Sequence, residues 1–344
     1  MTRAPRPNFF HHLHPPTIPA RQSRLRYTLG AGGISIFLVL ILIVTGILEM
    51  FYYVPTPEGA ALSIQTITYH APLGALVRNL HFWSAQVLMI VMGLHLVRVV
   101  FTGAYGAPRR FNFVLGVLLM GVVILLNFTG YVLRWDEGIQ WALVVGTNLL
   151  KTVPVAGDAL YGIVAGGSEP GASTLTRFYA WHLFGLAVPA IFFIGWHIFR
   201  VRRDGGIAVP PPAARTESQR ISRFQLVERE VVAMLIVGGG LLVFSALVPA
   251  PIAPPITDIS ASASHTDAPW FLLWIQRLLA WGDPFLLGVL VPFAVLTLLA
   301  VFPYILPKPD ESELGRWFPR SNRSARLILA LLVVAIALLT LVPQ

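Results

Sequence analysis

His81-Phe82-Trp83-Ser84-Ala85-Gln86-Val87-Leu88-Met89-Ile90-Val91-Met92-Gly93-Leu94-His95 is the stretch on which the fold turns. Two histidines 14 positions apart close a run that holds no acidic or basic residue between them. Wound as an α-helix, they lie ~21 Å apart along the axis at 1.5 Å per residue. Successive residues turn by about 100°, so the two rings point within ~40° of each other. His182 and His197 bracket a second run of the same character, 15 positions apart. That spacing gives ~22 Å along the axis and an offset of ~60°. An ionisable group inside an apolar helix is costly and marks function by default. For one isolated histidine, a neutral ring bonded to a neighbouring carbonyl explains as much. Two pairs with matching separations need a common cause.

Around these runs the chain is apolar throughout. Of 344 residues, 56% are apolar and 12% charged, against about 25% charged in soluble domains. So few charges cannot cover a water-facing surface, and membrane lipid is the solvent for most of the chain. Seven stretches reach the ~20 apolar residues that a spanning helix needs. They are Leu29–Tyr53, Leu76–Thr102, Phe111–Leu133, Leu175–Val201, Val231–Val248, Phe285–Ile305 and Ala325–Val342. The predicted fold class is an all-α integral membrane protein, an N-terminal four-helix bundle followed by three further transmembrane helices. The units run from 1–28 (a tail), through 29–204 (four helices) and 205–230 (a linker with Pro210, Pro211 and Pro212), to 231–344 (three helices). No internal sequence repeat is visible.

The net charge of +9 could suggest nucleic acid, but the positions of the cations exclude it as a partner. They gather in the tail (Arg3, Arg6, Arg21, Arg24, Arg26) and in the loop with Arg109 and Arg110. The rest lie in the linker (Arg202, Arg203, Arg215, Arg220, Arg223, Arg229) and the last loop (Lys308, Arg316, Arg320, Arg323). The opposite loops carry Glu58, Asp136, Glu137, Asp158, Glu169, Asp258 and Asp267, with Lys151 and Arg277 as the minority cations. By the positive-inside rule the N-terminus is cytoplasmic, and the expected location is a bacterial cytoplasmic membrane. Met1–Arg26 lacks the charged-then-apolar pattern of a cleaved signal and reads as a tail on the membrane surface. Cysteine is absent, which removes disulfides, Cys-held clusters and thioether haem attachment. Two outer loops, Trp135–Ser173 and Pro249–Pro284, are long. Their apolar pieces Trp141–Leu150 and Trp270–Trp281 read as short helices at the membrane surface.

The second and fourth spans run in the same direction. His81 therefore stands level with His182 near the outer side, and His95 level with His197 near the inner side. That makes two bis-imidazole sites, each able to ligate a haem iron axially. Zinc fits less well, because no carboxylate or thiolate accompanies either pair. Gly32 and Gly46 on the first span, and Gly116 and Gly130 on the third, repeat the 14-residue period. Glycine lets a flat ring approach a backbone closely; the plain alternative is ordinary packing of membrane helices. The reading is of two identical layers. Haem propionates want cations near the membrane faces. Arg78 and Arg177 suit the outer group and Arg98 the inner, unless they are snorkelling helix-end arginines.

These residues resemble the cytochrome b family of quinol-oxidising bc/bf complexes. The matching pieces are Gly32-Gly33-Ile34 with Thr45-Gly46 and Phe51-Tyr52-Tyr53, then Arg78-Asn79-Leu80-His81-Phe82-Trp83 and Leu94-His95-Leu96-Val97-Arg98-Val99. Thr129-Gly130-Tyr131, Trp135-Asp136 and Ser173-Thr174-Leu175-Thr176-Arg177-Phe178 continue the match. The 15-residue histidine step and the seven spans resemble the bf branch, as a four-helix b subunit fused to its three-helix partner. The resemblance implies two non-covalent b-type haems, with quinone and quinol as substrate. It also implies a Rieske iron–sulfur protein and a c-type cytochrome as partners, a cytochrome c or plastocyanin-type acceptor, and a homodimeric respiratory or photosynthetic complex. It places the outer quinol pocket at Tyr131, Trp135–Leu150 and Trp270, and the inner site near His197, Arg202 and Asp204.

Three departures accompany the resemblance. The family's Pro-Glu-Trp-Tyr motif stands here as Ala268-Pro269-Trp270-Phe271, without the proton-accepting glutamate. Asp267, His265, Asp136 and Glu137 are the candidate replacements, or else solvated loop residues. Leu133-Arg134-Trp135 has arginine where the family usually has proline. Gly30 replaces the cysteine that holds an extra haem in the bf branch, so no thioether-linked haem is expected.

Rival functions make different demands on the sequence. A flavin-fed transmembrane reductase needs a nucleotide-binding module, and no Gly-x-Gly-x-x-Gly opens a helix here. A non-catalytic dihaem anchor or electron conduit for another redox enzyme agrees with the altered Pro-Glu-Trp-Tyr motif. A transporter predicts charged groups along a pathway, whereas histidine reads as the only ionisable residue deep in the spans.

Overall fold

The computed structural model describes residues 16–209, 219–257 and 267–341. Seven of its helices are long and apolar enough to cross a membrane. Eleven helices of seven residues or more carry the described chain: α1 (Ala31–Met50), α2 (Ala60–Tyr69), α3 (Gly74–Phe101), α4 (Arg110–Val132), α5 (Gln140–Lys151), α6 (Gly157–Ala165), α7 (Ala172–Arg203), α8 (Arg223–Leu247), α9 (Leu273–Leu279), α10 (Phe285–Ile305) and α11 (Arg323–Leu341). The spans are α1, α3, α4, α7, α8, α10 and α11. Their outward faces carry exposed large apolar side chains such as Leu40 at 55%, Phe192 at 66% and Leu235 at 69%. Water would not tolerate such faces, and the chain is a multi-pass membrane protein.

Three boundaries depart from the sequence reading. First, α8 begins at Arg223, eight residues before Val231. Ser222 Oγ accepts from the Gln225 N–H while the Gln225 side chain accepts from the Ser222 N–H. This reciprocal cap lets the helix start in polar sequence. Second, the outer loops hold more helix than expected. The pieces Trp141–Leu150 and Trp270–Trp281 fold as α5 and the shorter α9, and α2 and α6 join them. Third, Thr17–Pro19 (β1) pairs antiparallel with Arg220–Ser222 (β2), joining the chain before α1 to the chain before α8.

Pro189 explains a change of pitch in α7. Proline lacks an N–H, and inside a helix its ring crowds the carbonyl four residues back. The turns just before it, Trp181–Ala187, widen to a π-helix. Phe285–Leu290, ahead of Pro292 in α10, does the same.

The interior is stacked in three apolar groups. An outer group includes Ala60, Val132, Trp135, Leu143 and Phe178. An inner group joins Val100, Tyr105, Phe113 and Val117 to Leu299, Phe302 and Leu329 of α10 and α11. Between them lie Leu38, Leu88, Val123 and Leu241. Leu88 is midway between His81 and His95, and Val123 midway between Gly116 and Gly130. An apolar floor separates the two histidine levels.

Candidate functional site

The widened turn in α7 brings the four imidazoles together. A π turn takes up one residue more than an α turn. The 15-residue step from His182 to His197 therefore spans what 14 residues span on α3. Regular-helix arithmetic, which gave offsets of ~40° and ~60°, missed this compensation. His81 faces His182, and His95 faces His197, each pair close enough to interact electrostatically.

Each imidazole lies against a glycine of a neighbouring helix. A Cβ added at Gly46 would come 3.1 Å from His81 Cε1, and one at Gly130 would come 2.9 Å from His182 Cε1. At the inner level the distances are 3.3 Å from Gly116 to His197 Cε1 and 3.8 Å from Gly32 to His95 Cε1. The sequence reading gave these glycines to the macrocycle. In the structure their missing side chains seat the rings that would hold it.

Hydrogen bonds fix the outer pair of rings. Thr45 Oγ1 lies 2.9 Å from His81 Nδ1 and donates its own proton to the Ile41 carbonyl at 2.7 Å. Thr129 Oγ1 lies 2.9 Å from His182 Nδ1 and donates to the Leu125 carbonyl at 2.9 Å. A hydroxyl has one proton, so toward each ring it accepts, and Nδ1 carries the hydrogen. Nε2 then keeps its lone pair, the state a metal-ligating imidazole requires. The inner level lacks this device. Leu115 and Ala31 precede Gly116 and Gly32 where threonines precede Gly130 and Gly46. His197 Nδ1 is buried with no hydrogen-bond partner. The two layers are not identical. Sequence reasoning passed over Thr45 and Thr129, although each stands immediately before a glycine of the 14-residue period.

The arginines have partners of their own. Arg78 is buried and donates to the carbonyls of Ala250, at 3.2 Å, and Pro251. Asn79 donates to Ser245 O at 2.9 Å and accepts from the Ala250 N–H at 2.9 Å, and Trp83 Nε1 donates to Val248 O at 2.8 Å. This turn of α3 thus grips the end of α8. Arg98 is buried, donates to Ala208 O at 3.2 Å and lies 4.7 Å over the Tyr27 ring. Its Nε is buried without a partner, an unused donor at the inner level. Arg177 is exposed and donates to the Gly162 and Ile163 carbonyls at 2.6 and 2.5 Å, tying α7 to α6. Arg202 is exposed, while Asp204 is buried and bridged to Arg200 at 3.0 Å and Arg203 at 3.1 Å.

On the outer side, Asp136 is 1% exposed and holds Arg134 at 2.6 Å. It also accepts from the Ala253 N–H at 3.1 Å, while the Glu137 N–H donates to Pro254 O at 2.9 Å. Arg134, the departure from the family's proline, is thus half of a clamp between two outer loops. Trp135 within it adopts a left-handed φ of 49° and is buried. Tyr131 donates to Gly138 O at 2.5 Å. Trp270 is 45% exposed, and its Nε1 donates to Gln86 Oε1 at 2.7 Å. Asp267 is exposed. His265 and Asp258 lie outside the described residues. Glu49 corrects the reading that histidine is the only ionisable residue in the spans. It sits in the last turn of α1 with Oε1 buried and unpartnered.

Glycine seats for four rings and a locked tautomer at the outer pair fit two bis-imidazole haem sites. The donor sets suit iron in a macrocycle better than a bare metal ion. Among the described residues no cluster of three or more His, Cys, Asp or Glu is placed to hold one.

Comparisons with known proteins agree with this arrangement. The sequence model described as Cytochrome b/b6/petB matches residues 19–205. Cytochrome b6 of Heliomicrobium gestii is 36% identical over 192 residues, covering 56% of this chain and 88% of that protein. The menaquinol:cytochrome c reductase cytochrome b subunit of Geobacillus thermodenitrificans is 38% identical over 175 residues, covering 51% and 78%. A chain of a solved structure titled hyperthermophilic respiratory Complex III superposes with a TM-score of 0.73 at 20% identity, over 91% of this chain and 90% of that one. At that identity the likeness is one of fold, and at 91% of this chain it reaches beyond residues 19–205.

Proposed function

The chain belongs to the cytochrome b/b6 family, and from that premise we propose that it carries electrons from quinol across the membrane through two b-type haems. It is a bc-type cytochrome b. His81 and His182 hold the outer iron, and His95 and His197 the inner one. The observation that carries this reading is the pairing of four imidazoles at two levels, each on a glycine of a neighbouring helix. Bound there, the haems supply reversible one-electron chemistry at two depths.

The residues of the chain do the rest. Thr45 and Thr129 hold the outer rings by Nδ1, leaving Nε2 free to hold an iron. Leu38, Leu88 and Val123 exclude water between the levels. Arg98 offers its free Nε to an inner propionate, and Arg78 and Arg177 supply cations near the outer one. Tyr131, Asp267 and Trp270 line the outer quinol pocket and the buried Asp136 braces its wall, while Arg202 and Asp204 stand at the inner quinone site. With the N-terminus cytoplasmic in a bacterial membrane, one electron of each quinol crosses inward. The other leaves through a Rieske protein toward a c-type cytochrome. The b6-like unit 29–204 is joined through the linker to a three-helix unit, and the complex is a homodimer without thioether-linked haem.

A reduced-minus-oxidised spectrum with haem counted per chain tests the core of this reading. Two b-type haems are expected, and none would overturn it. Quinol-dependent reduction that an outer-site inhibitor blocks distinguishes quinol oxidation from a passive dihaem anchor.

A further inference from the structure

Glu49 is an acidic residue where the packing of the spans gives no reason for one. It lies three residues beyond Gly46, so it stands ~4.5 Å further toward the outer face on a shared side of α1. The Gly46 Cβ position is itself 3.1 Å from His81 Cε1, which puts the carboxyl about one helical turn from the outer ligand level. Oε1 is buried with no hydrogen-bond partner. Arg78 of α3 is the charged group facing it. Beyond Arg78 stand Tyr69 and the paired Arg134 and Asp136. The other helix against α1 is α8, whose ionisable residues Arg223, Glu228, Arg229 and Glu230 lie at its opposite end, Glu230 against Gly33.

Arg78 is committed to the Ala250 and Pro251 carbonyls and leaves Glu49 Oε1 unbonded. A buried carboxyl oxygen with no donor beside it can carry a proton of its own in place of the missing bond. An electron held at the outer iron would add negative charge close by and favour the protonated carboxyl.

We propose that Glu49 is a redox-linked proton site of the outer haem. Glu49 takes one proton from the outer aqueous side when an electron from quinol reaches the outer iron, and releases it when that electron moves to the inner one. One O–H bond forms on the carboxylate for each electron gained by the iron, and the same bond breaks on its departure. This rests on the two-haem reading above.

The test is a potentiometric titration of both haems in the purified complex over a series of pH values, with Glu49→Gln alongside the parent. The outer midpoint of the parent falls as pH rises, approaching one proton per electron, and in Glu49→Gln that slope is lost while both haem bands remain. In the parent, an infrared difference spectrum on reducing the outer haem shows a protonated-carboxyl band that shifts in D2O. An unchanged slope in Glu49→Gln overturns the assignment to Glu49. Should that variant not assemble, absence of the carboxyl band from the parent overturns it equally. A parent lacking two separate haem midpoints overturns the two-haem reading instead, and this inference with it.

Discussion

Thr45 Oγ1 and His81 Nδ1 are 2.9 Å apart, and with the hydroxyl proton directed to the Ile41 carbonyl at 2.7 Å the oxygen accepts from the ring. A ring that donates through Nδ1 is a more basic ligand at Nε2 and favours oxidised iron. Thr45→Val should therefore raise the outer haem midpoint and weaken outer haem retention by about 10–100-fold. The inner haem should be unmoved. Potentiometric titration and haem content per chain measure both. Equal shifts of the two haems would show that the threonine acts on the whole bundle.

The four glycine seats give a graded series. An added Cβ meets imidazole Cε1 at 2.9 Å from Gly130, 3.1 Å from Gly46, 3.3 Å from Gly116 and 3.8 Å from Gly32. Overpacking typically destabilises by about 1–3 kcal/mol. Haem loss on substitution by alanine should follow that order, with Gly32→Ala close to the parent. A reversed order, read from the absorbance of purified variants, would contradict the seats as described.

His95→Ala should remove the inner haem and leave the outer one, because Leu38, Leu88 and Val123 make the levels separate compartments. One haem per chain in folded protein is the expected count. Loss of both would deny that separation.

The division between what was legible and what was not follows the range of the interactions. The seven spans, the histidine pairs and the glycine period could be read from the chain because each depends on spacing within one helix. The π turn before Pro189 could not, since a sequence period assumes one pitch throughout. The capping box of Ser222 and Gln225 is a short motif, overlooked because the apolar run begins later. The nearness of Arg78 to His81 is legible in the sequence, but its other partners are not. Its bonds to Ala250 and Pro251 reach across more than 170 residues, beyond anything local pattern reveals. Glu49 was hidden by its position at the end of an apolar stretch, where a charge ordinarily reaches water.

Asp136 is held as a clamp, and its removal should be felt as stability before chemistry. Its side chain is 2% exposed and that of Arg134 11%. Breaking a buried pair by removing one partner costs about 3–5 kcal/mol. Asp136→Ala should lower the thermal midpoint of the complex and expose the Ala253 amide to hydrogen exchange. An unchanged exchange pattern would leave the clamp without effect.

In the last loop, the Ser321 backbone N–H and hydroxyl hold the Glu313 carboxyl below the usual carboxylate range. A depressed carboxyl stabilises the folded form above its unfolded pKa, and that contribution fades as pH falls through the folded value. Protection of the Ser321 amide should therefore weaken on acidification. In Glu313→Gln that acid-side dependence should be absent.

The ribbon of β1 and β2 has a consequence for how such a protein can be encoded. Thr17–Pro19 grips Arg220–Ser222 directly, and Arg78, Asn79 and Trp83 grip the far end of the same α8. The front and back portions are thus sutured at both membrane faces by bonds that owe nothing to peptide continuity. Severing the polypeptide between residues 209 and 219 would leave two fragments able to find each other, so one gene or two would serve this architecture equally.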